Sequence, residues 1–162
     1  MAAEYSANAL QLVPANGSVI FSESPVPCGR GLIFHRDESG LFRLASPSTM
    51  GVCCQRCCCC CSNFPEALYQ VSFHANIAVP EDPAGTVEAI SLAIAIDGEI
   101  DPSSTMIFTP AAVGDFGNVG ADIIVAVPCI CRCSSVSVRN TSTQAINVQN
   151  ANLVFDYAGI KR

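Results

Sequence analysis

From Leu68 to Val79 an apolar side chain returns at every second residue: Tyr69, Val71, Phe73, Ala75 and Ile77 fall on one side, with Gln70, Ser72, His74 and Asn76 on the other. Successive side chains of an extended strand point to opposite faces, so this spacing makes a two-faced strand and gives a helix no apolar stripe. The alternation recurs over Thr86 to Ile96, with Ile90, Leu92, Ile94 and Ile96 set against Ala89, Ser91, Ala93 and Ala95. It recurs again at Val119, Ala121, Ile123, Val125 and Val127, at Val136 and Val138, at Ile146 and Val148, and at Leu153, Phe155 and Tyr157. Shorter strands are expected at Ser18 to Ser22, Leu32 to His35 and Leu41 to Ala45. Turn signals such as Asn16-Gly17 and Asp97-Gly98 punctuate these runs, and only Pro110 to Phe116 has room for a turn of helix. The pattern predicts an all-β sandwich of about eight to ten strands.

A chain of 162 residues fits one domain, and neither a repeat nor a linker divides it. Half of the residues are hydrophobic and 14% are charged, against about 25% charged in an average soluble protein. So thin a polar skin favours burial between subunits. A net charge of -6 with eight Lys and Arg lacks the clustered cations that release counterions from a phosphate backbone, so nucleic acid is not an expected partner. The longest apolar run, from Ile123 through Cys131, is too short to cross a bilayer as a helix, and no membrane partner is expected. The first ten residues lack a basic leader and an apolar segment, so no signal peptide is expected and the chain is expected to fold in a cytoplasm.

Eleven cysteines stand against that compartment, where disulfides are rare. Cys53, Cys54, Cys57, Cys58, Cys59, Cys60 and Cys61 form a dense run, Cys129, Cys131 and Cys133 a second group, and Cys28 stands apart. For zinc, only Cys54 and Cys57 have clean knuckle spacing, with no cysteine between them, and no separate second knuckle or His pair follows. For disulfides, an odd count leaves one thiol over, and neighbours within the run cannot readily bridge one another, which makes Cys129 to Cys133 the obvious partner set. Reduced cysteine packed as a small apolar residue is the third reading, and spacing alone leaves all three open. No cofactor is expected, and the cysteine run is the place where a metal would bind if one did.

Other chemistry is sparse. His35 and His74 are the two histidines, no nucleophile elbow is present, and no catalytic residue is assigned; the chain is not expected to be an enzyme. Asp97, Glu99 and Asp101 suit either a calcium ion or an ordinary hairpin. Asn140-Thr-Ser142 fits a glycosylation acceptor or a polar turn, the turn being favoured without a secretory signal.

The order of Asn16-Gly-Ser-Val-Ile-Phe21, Ser39-Gly-Leu-Phe42, Leu68-Tyr-Gln-Val-Ser-Phe73, Ile90-Ser-Leu-Ala-Ile-Ala-Ile-Asp-Gly98, Val136-Ser-Val-Arg-Asn140 and Ala151-Asn-Leu-Val-Phe155 resembles the tumour necrosis factor and complement globular-head superfamily. The likeness includes the C-terminal domains of bacterial collagen-like spore-surface proteins. It implies a ten-stranded jelly roll over residues 16–162, preceded by an N-terminal arm at 1–15 and carrying a Cys-rich loop insertion at about 48–66. Glu66-Ala67 replaces the glycine usual before the Tyr69 strand, so no role of that loop carries over. The resemblance further implies a homotrimer around a threefold axis, with Phe73, Phe155 and Tyr157 as candidate axis residues. Its topology places the two cysteine groups at opposite ends of the barrel.

The stretches Glu4-Tyr-Ser-Ala-Asn-Ala-Leu10 and Asn150-Ala-Asn-Leu153 are similar to short proteins from Firmicutes prophage regions. That likeness implies a virion protein decorating the phage head, assembled in the host cytoplasm, with itself and capsid proteins as partners. A spore or cell-surface trimer is the alternative, without the Gly-x-y tract of the collagen-like proteins. A thiol-based metal-binding or redox protein is the alternative from another class.

Overall fold

The computed structural model describes residues 2–28, 32–46, 66–128 and 133–161. Twelve strands lie among them: β1 (Ala2–Ala7), β2 (Gln11–Val13), β3 (Glu23–Val26), β4 (Ile33–His35), β5 (Phe42–Leu44), β6 (Glu66–Ala78), β7 (Ile90–Ile96), β8 (Glu99–Ile100), β9 (Met106–Phe108), β10 (Gly117–Pro128), β11 (Ser134–Asn140) and β12 (Ile146–Lys161). They form two six-stranded antiparallel sheets. One has the order β10-β6-β12-β1-β3 with β2 beside β12, and the other β4-β5-β11-β7-β8 with β9 beside β7. Each long strand has one fully buried row, and the two rows face each other across a single core.

The predicted parity holds in β6 and, but for half-buried Ala121, in β10; in β7 Ile96 is half-buried and the small residues Ala93 and Ala95 of the opposite row are buried as well. Tyr69, Val71, Phe73, Ala75 and Ile77 of β6 are buried, as are Ile90, Leu92 and Ile94 of β7 and Val119, Ile123, Val125 and Val127 of β10. A cluster of rings joins the sheets: Phe42 of β5 packs against Phe21, Tyr5 and Phe155 with centroids 5.3, 4.8 and 5.1 Å away, and His35 stacks on it at 4.3 Å. Such pairs add about 0.5–1.5 kcal/mol each beyond their buried area. In β12 the buried set changes parity, from Ile146 and Val148 to Ala151, Leu153 and Phe155. A bulge between Gln149 and Asn152, with Asn150 at φ 51°, absorbs the extra residue and keeps the apolar set on the core face.

Three expectations are corrected. Residues 1–15 are not a separate arm: β1 pairs with β12 along its whole length, from Ala2 opposite Asp156 to Ala7 opposite Ala151, and β2 pairs with β12 beyond it. Small Ala3 and Ala7 continue the buried row on either side of Tyr5, which an alternation count of large side chains overlooks. Pro110 to Phe116 makes turns without a helix, and the one short 3-10 turn among the described residues is Pro102–Ser104, capped by Asp101, whose carboxylate accepts from the Ser103 amide at 2.9 Å. Ser18 to Ser22 is not a continuous strand; its ladder contacts are single bridges from Ser18 to Arg139 and from Phe21 to Ser39.

The Asp97-Gly98 turn is as expected. Ile96 pairs with Glu99, and both turn residues have positive φ, 51° and 90°, as a two-residue hairpin turn of type I′ requires. Asn140 forms a polar knot at the other end of β11. Its fully buried amide donates to the carbonyls of Val13, Pro14 and Gln144 and its oxygen accepts from the Ser142 amide. The Asn-Thr-Ser triplet is therefore a structural turn, with no exposed amide to modify.

Candidate assembly surface

The β10-β6-β12-β1 sheet turns its second face outward. Register defines that face row by row. Val154 of β12 lies between Glu4 of β1 and Ser72 of β6, and Ser72 lies opposite Asp122 of β10. In the next row Asn152 lies between Ser6 and His74, and His74 opposite Gly120; on the other side Asp156 lies between Ala2 and Gln70, and Gln70 opposite Ile124. A Cβ at position 120 would come 2.5 Å from His74 Nδ1, so the glycine is what lets the imidazole lie across β10. Asn152 donates to Glu4 at 2.6 Å, and Asn118 to Asn76 at 3.1 Å, which holds the outer side chains flat against the sheet.

β6 spans 13 residues, about 43 Å at the rise of a strand, and with β10 and β12 beside it the face covers on the order of 600 Å². Its side chains are short or amide-bearing, with Val154 and Ile124 as apolar members, the latter 58% exposed. Glu4, Asp122 and Asp156 are the charges of these rows, and Glu66 pairs with Lys161 at the end of the sheet. The face is broad, and most of its side chains are short enough to meet a partner with little rearrangement.

The sequence-predicted axis residues lie elsewhere. Phe73 and Phe155 are 0% exposed and point into the subunit's own core, so no second copy can reach them. The physical reason is that a two-layer sandwich needs the larger row of each strand between its sheets. Tyr157 is half-buried and packs edge-on against Tyr69 at 5.6 Å, beneath the end of the sheet. Sequence reasoning overlooked the other row, Gln70, Ser72, His74, Asn152 and Val154, although the alternation that found Phe73 also specifies it.

Cys53, Cys54, Cys57, Cys58, Cys59, Cys60, Cys61, Cys129 and Cys131 lie outside the described residues. Their flanks, however, overturn the expectation of opposite ends. β6 and β10 run antiparallel in full register, so Glu66, where β6 begins, lies opposite Pro128, where β10 ends. Ser134 lies opposite Leu44, and the Ala45 amide bonds the Leu32 carbonyl. The two cysteine groups therefore enter the chain at the same end of the sandwich. Cys28 is a free thiol packed against the core near Tyr5 and Tyr69, and Cys133 is disulfide-bonded.

Among the described residues no three His, Cys, Asp or Glu side chains gather as a metal site. Asp97 and Asp101 serve the backbone, Asp97 accepting from the Ser135 amide at 2.7 Å and Asp101 capping its turn. His35 donates through Nε2 to the Ser39 carbonyl at 3.0 Å while its ring stacks on Phe42. His74 lies on the outer sheet face between Gly120 of β10 and Asn152 of β12, neither of them a nucleophile.

No known protein family matches the chain, and no curated protein resembles it in sequence. Among solved structures it is similar to the globular domain of a zebrafish complement 1qA protein, with a TM-score of 0.60 and 10% identity over 99% of this chain and 98% of that one. It is equally similar to murine APRIL (TM-score 0.60, 8% identity, 100% of both chains) and to Eiger TNF from S. frugiperda (TM-score 0.60, 11% identity, 100% of this chain and 95% of that one). The fold is the TNF-like jelly roll.

Proposed function

We propose that this chain is a non-enzymatic structural subunit that assembles as a homotrimer through the outer face of the β10-β6-β12-β1 sheet and decorates a phage head. The observation that carries the assembly is that broad outer face of order 600 Å², close to the roughly 800 Å² that each partner gives to a standard interface. The TNF-like fold supports the same arrangement, since the superfamily that the sequence resembles is one of homotrimers. The virion setting is supported by the likeness of the Glu4 to Leu10 and Asn150 to Leu153 stretches to prophage proteins.

Adhesion of this kind needs no reaction. Affinity comes from water released between complementary faces and from amide side chains that exchange hydrogen bonds with a partner. The mass of the purified protein in solution tests the assembly: three subunits support it, and a monomer at high concentration overturns it. Sedimentation with empty phage head shells then tests the setting, with co-sedimentation expected and its absence counting against decoration.

A further inference from the structure

The described residues contain four cations, and two of them are grouped. Arg139 donates to the Gly98 carbonyl and Lys161 pairs with Glu66 at 3.4 Å. The side chains of Arg36 and Arg43 have no ion pair or hydrogen bond among the described residues, and both line one pocket of 460 Å³ with Phe34, His35, Ser39 and Leu41. In a chain of net charge -6, two unpaired arginines share one pocket whose lining holds no carboxylate, and like charges so placed repel each other. Asp37 and Glu38 sit in the same hairpin turn yet do not line the pocket.

The hairpin builds this arrangement. β4 and β5 pair Phe34 with Arg43, so the ring and the guanidinium share the outward face, while the alternate residues Ile33, Phe42 and Leu44 fill the core. Phe34 is 38% exposed and Leu41 45% exposed, an apolar wall beside a cationic one. The floor is fixed, because His35 stacks on Phe42 and is tied to the Ser39 carbonyl. The volume lies within the roughly 300–1,000 Å³ of small-molecule sites.

We propose that this pocket binds a sugar unit that carries a carboxylate. Arginine offers a planar fork that matches a carboxylate with two parallel hydrogen bonds, and two arginines can hold it from both sides. The C–H face of a sugar ring lies flat on an aromatic ring such as Phe34 and keeps its hydroxyl edge in water, and the Ser39 hydroxyl, whose bonds to Leu41 are long at 3.3 and 3.4 Å, is free to turn toward it. The site belongs to one subunit and stands whether or not the chain forms a trimer.

Amide NMR of the full chain, titrated separately with glucuronate, glucose and inorganic phosphate, tests this. Glucuronate is expected to shift the amides of residues 34–43 and to bind more tightly than either of the others. R43Q and R36Q are each expected to weaken glucuronate about tenfold or more, as loss of a charged hydrogen bond does. Both side chains are exposed, so amide spectra unchanged outside the hairpin will verify that the variants fold. F34A is expected to weaken glucuronate while leaving phosphate unchanged. Binding of glucose or phosphate as tight as that of glucuronate overturns the proposal, as does glucuronate binding that is absent or indifferent to both arginines.

Discussion

The Tyr69 hydroxyl donates to the Ala45 carbonyl at 2.5 Å, joining β6 of one sheet to the end of β5 in the other across the base of the cysteine-rich segment. Both residues are buried, so the bond is the carbonyl's partner in a place where water is excluded. Burial first, and then the nearby Cys28 and Tyr157, hold the Tyr69 phenol well above the usual tyrosine range.

Tyr69→Phe keeps the ring and removes the donor. At neutral pH a loss of about 1–2 kcal/mol is expected, the cost of leaving a buried acceptor unpaired. The pH dependence has a definite sign. In the unfolded chain the phenol ionises near pH 10, whereas the folded one stays protonated, so above that pH the unfolded state binds fewer protons and stability falls. The contribution is complete below the unfolded value and lost as pH rises. Phenylalanine does not ionise, so urea unfolding at neutral pH and at about pH 10.5 is expected to show the gap between the two proteins narrowing. Tyr5, also raised by burial and by Cys28, keeps its share of the alkaline loss in both proteins. A gap that stays constant with pH would refute the assignment.

Asn140→Asp replaces an amide that donates to three carbonyls with a carboxylate that can only accept. The buried group then loses its donors and faces three like-signed dipoles, so destabilisation of about 3 kcal/mol or more is expected. Asn140→Leu removes the charge but leaves the same carbonyls unpaired and is expected to cost about as much. Thermal unfolding of the two variants measures both, and a change within about 0.5 kcal/mol, as at an ordinary surface site, would show that water replaces the amide.

Alternation made most of this fold legible. The parity of Tyr69 to Ile77 and of Ile90 to Ile94 marks strand and large-residue face together, because a one-residue slip would expose every large side chain. Even the β12 bulge is visible as a parity break between Val148 and Leu153. What alternation does not carry is which neighbour covers a face. Phe73 and Phe155 are the axis candidates that the resemblance implies, and the opposing sheet covers them instead. The β1 strand escaped notice because Ala3, Ser6 and Ala7 take their places from register with β12, a relation between residues about 150 apart. The end of the sandwich at which the cysteine groups enter depends on the full-length pairing of β6 with β10, which no local pattern records.

Cys133→Ser removes a disulfide at the end of the sandwich where both cysteine groups enter. Cross-links of this kind restrict the unfolded chain and contribute about 2–4 kcal/mol. Reductant is expected to lower the unfolding midpoint of the natural chain and to leave that of the variant less affected. Counting thiols in denatured protein with and without reductant gives an independent reading. A count that does not rise on reduction, together with an unchanged midpoint, would mean that the purified protein carries these cysteines as thiols.

Ser72→Arg and Phe155→Ala separate assembly from stability. Ser72 lies on the outer face between Val154 and Asp122, where an arginine side chain stands away from the core and meets no buried group of its own subunit. It is expected to leave the unfolding midpoint within a few degrees and to convert trimer to monomer, because the outer face can no longer close. Phe155→Ala instead empties the core beside Phe42 and Tyr5 and is expected to cost about 3–5 kcal/mol, lowering the midpoint while the outer face stays intact. Added salt supplies a further discriminator. Glu4, Asp122 and Asp156 from three copies would gather near one another, so screening is expected to tighten the trimer. Mass measured by light scattering against salt for the three proteins reads all of this at once. A natural chain whose trimer loosens with salt, or an S72R variant that still assembles, would move the contact to another surface.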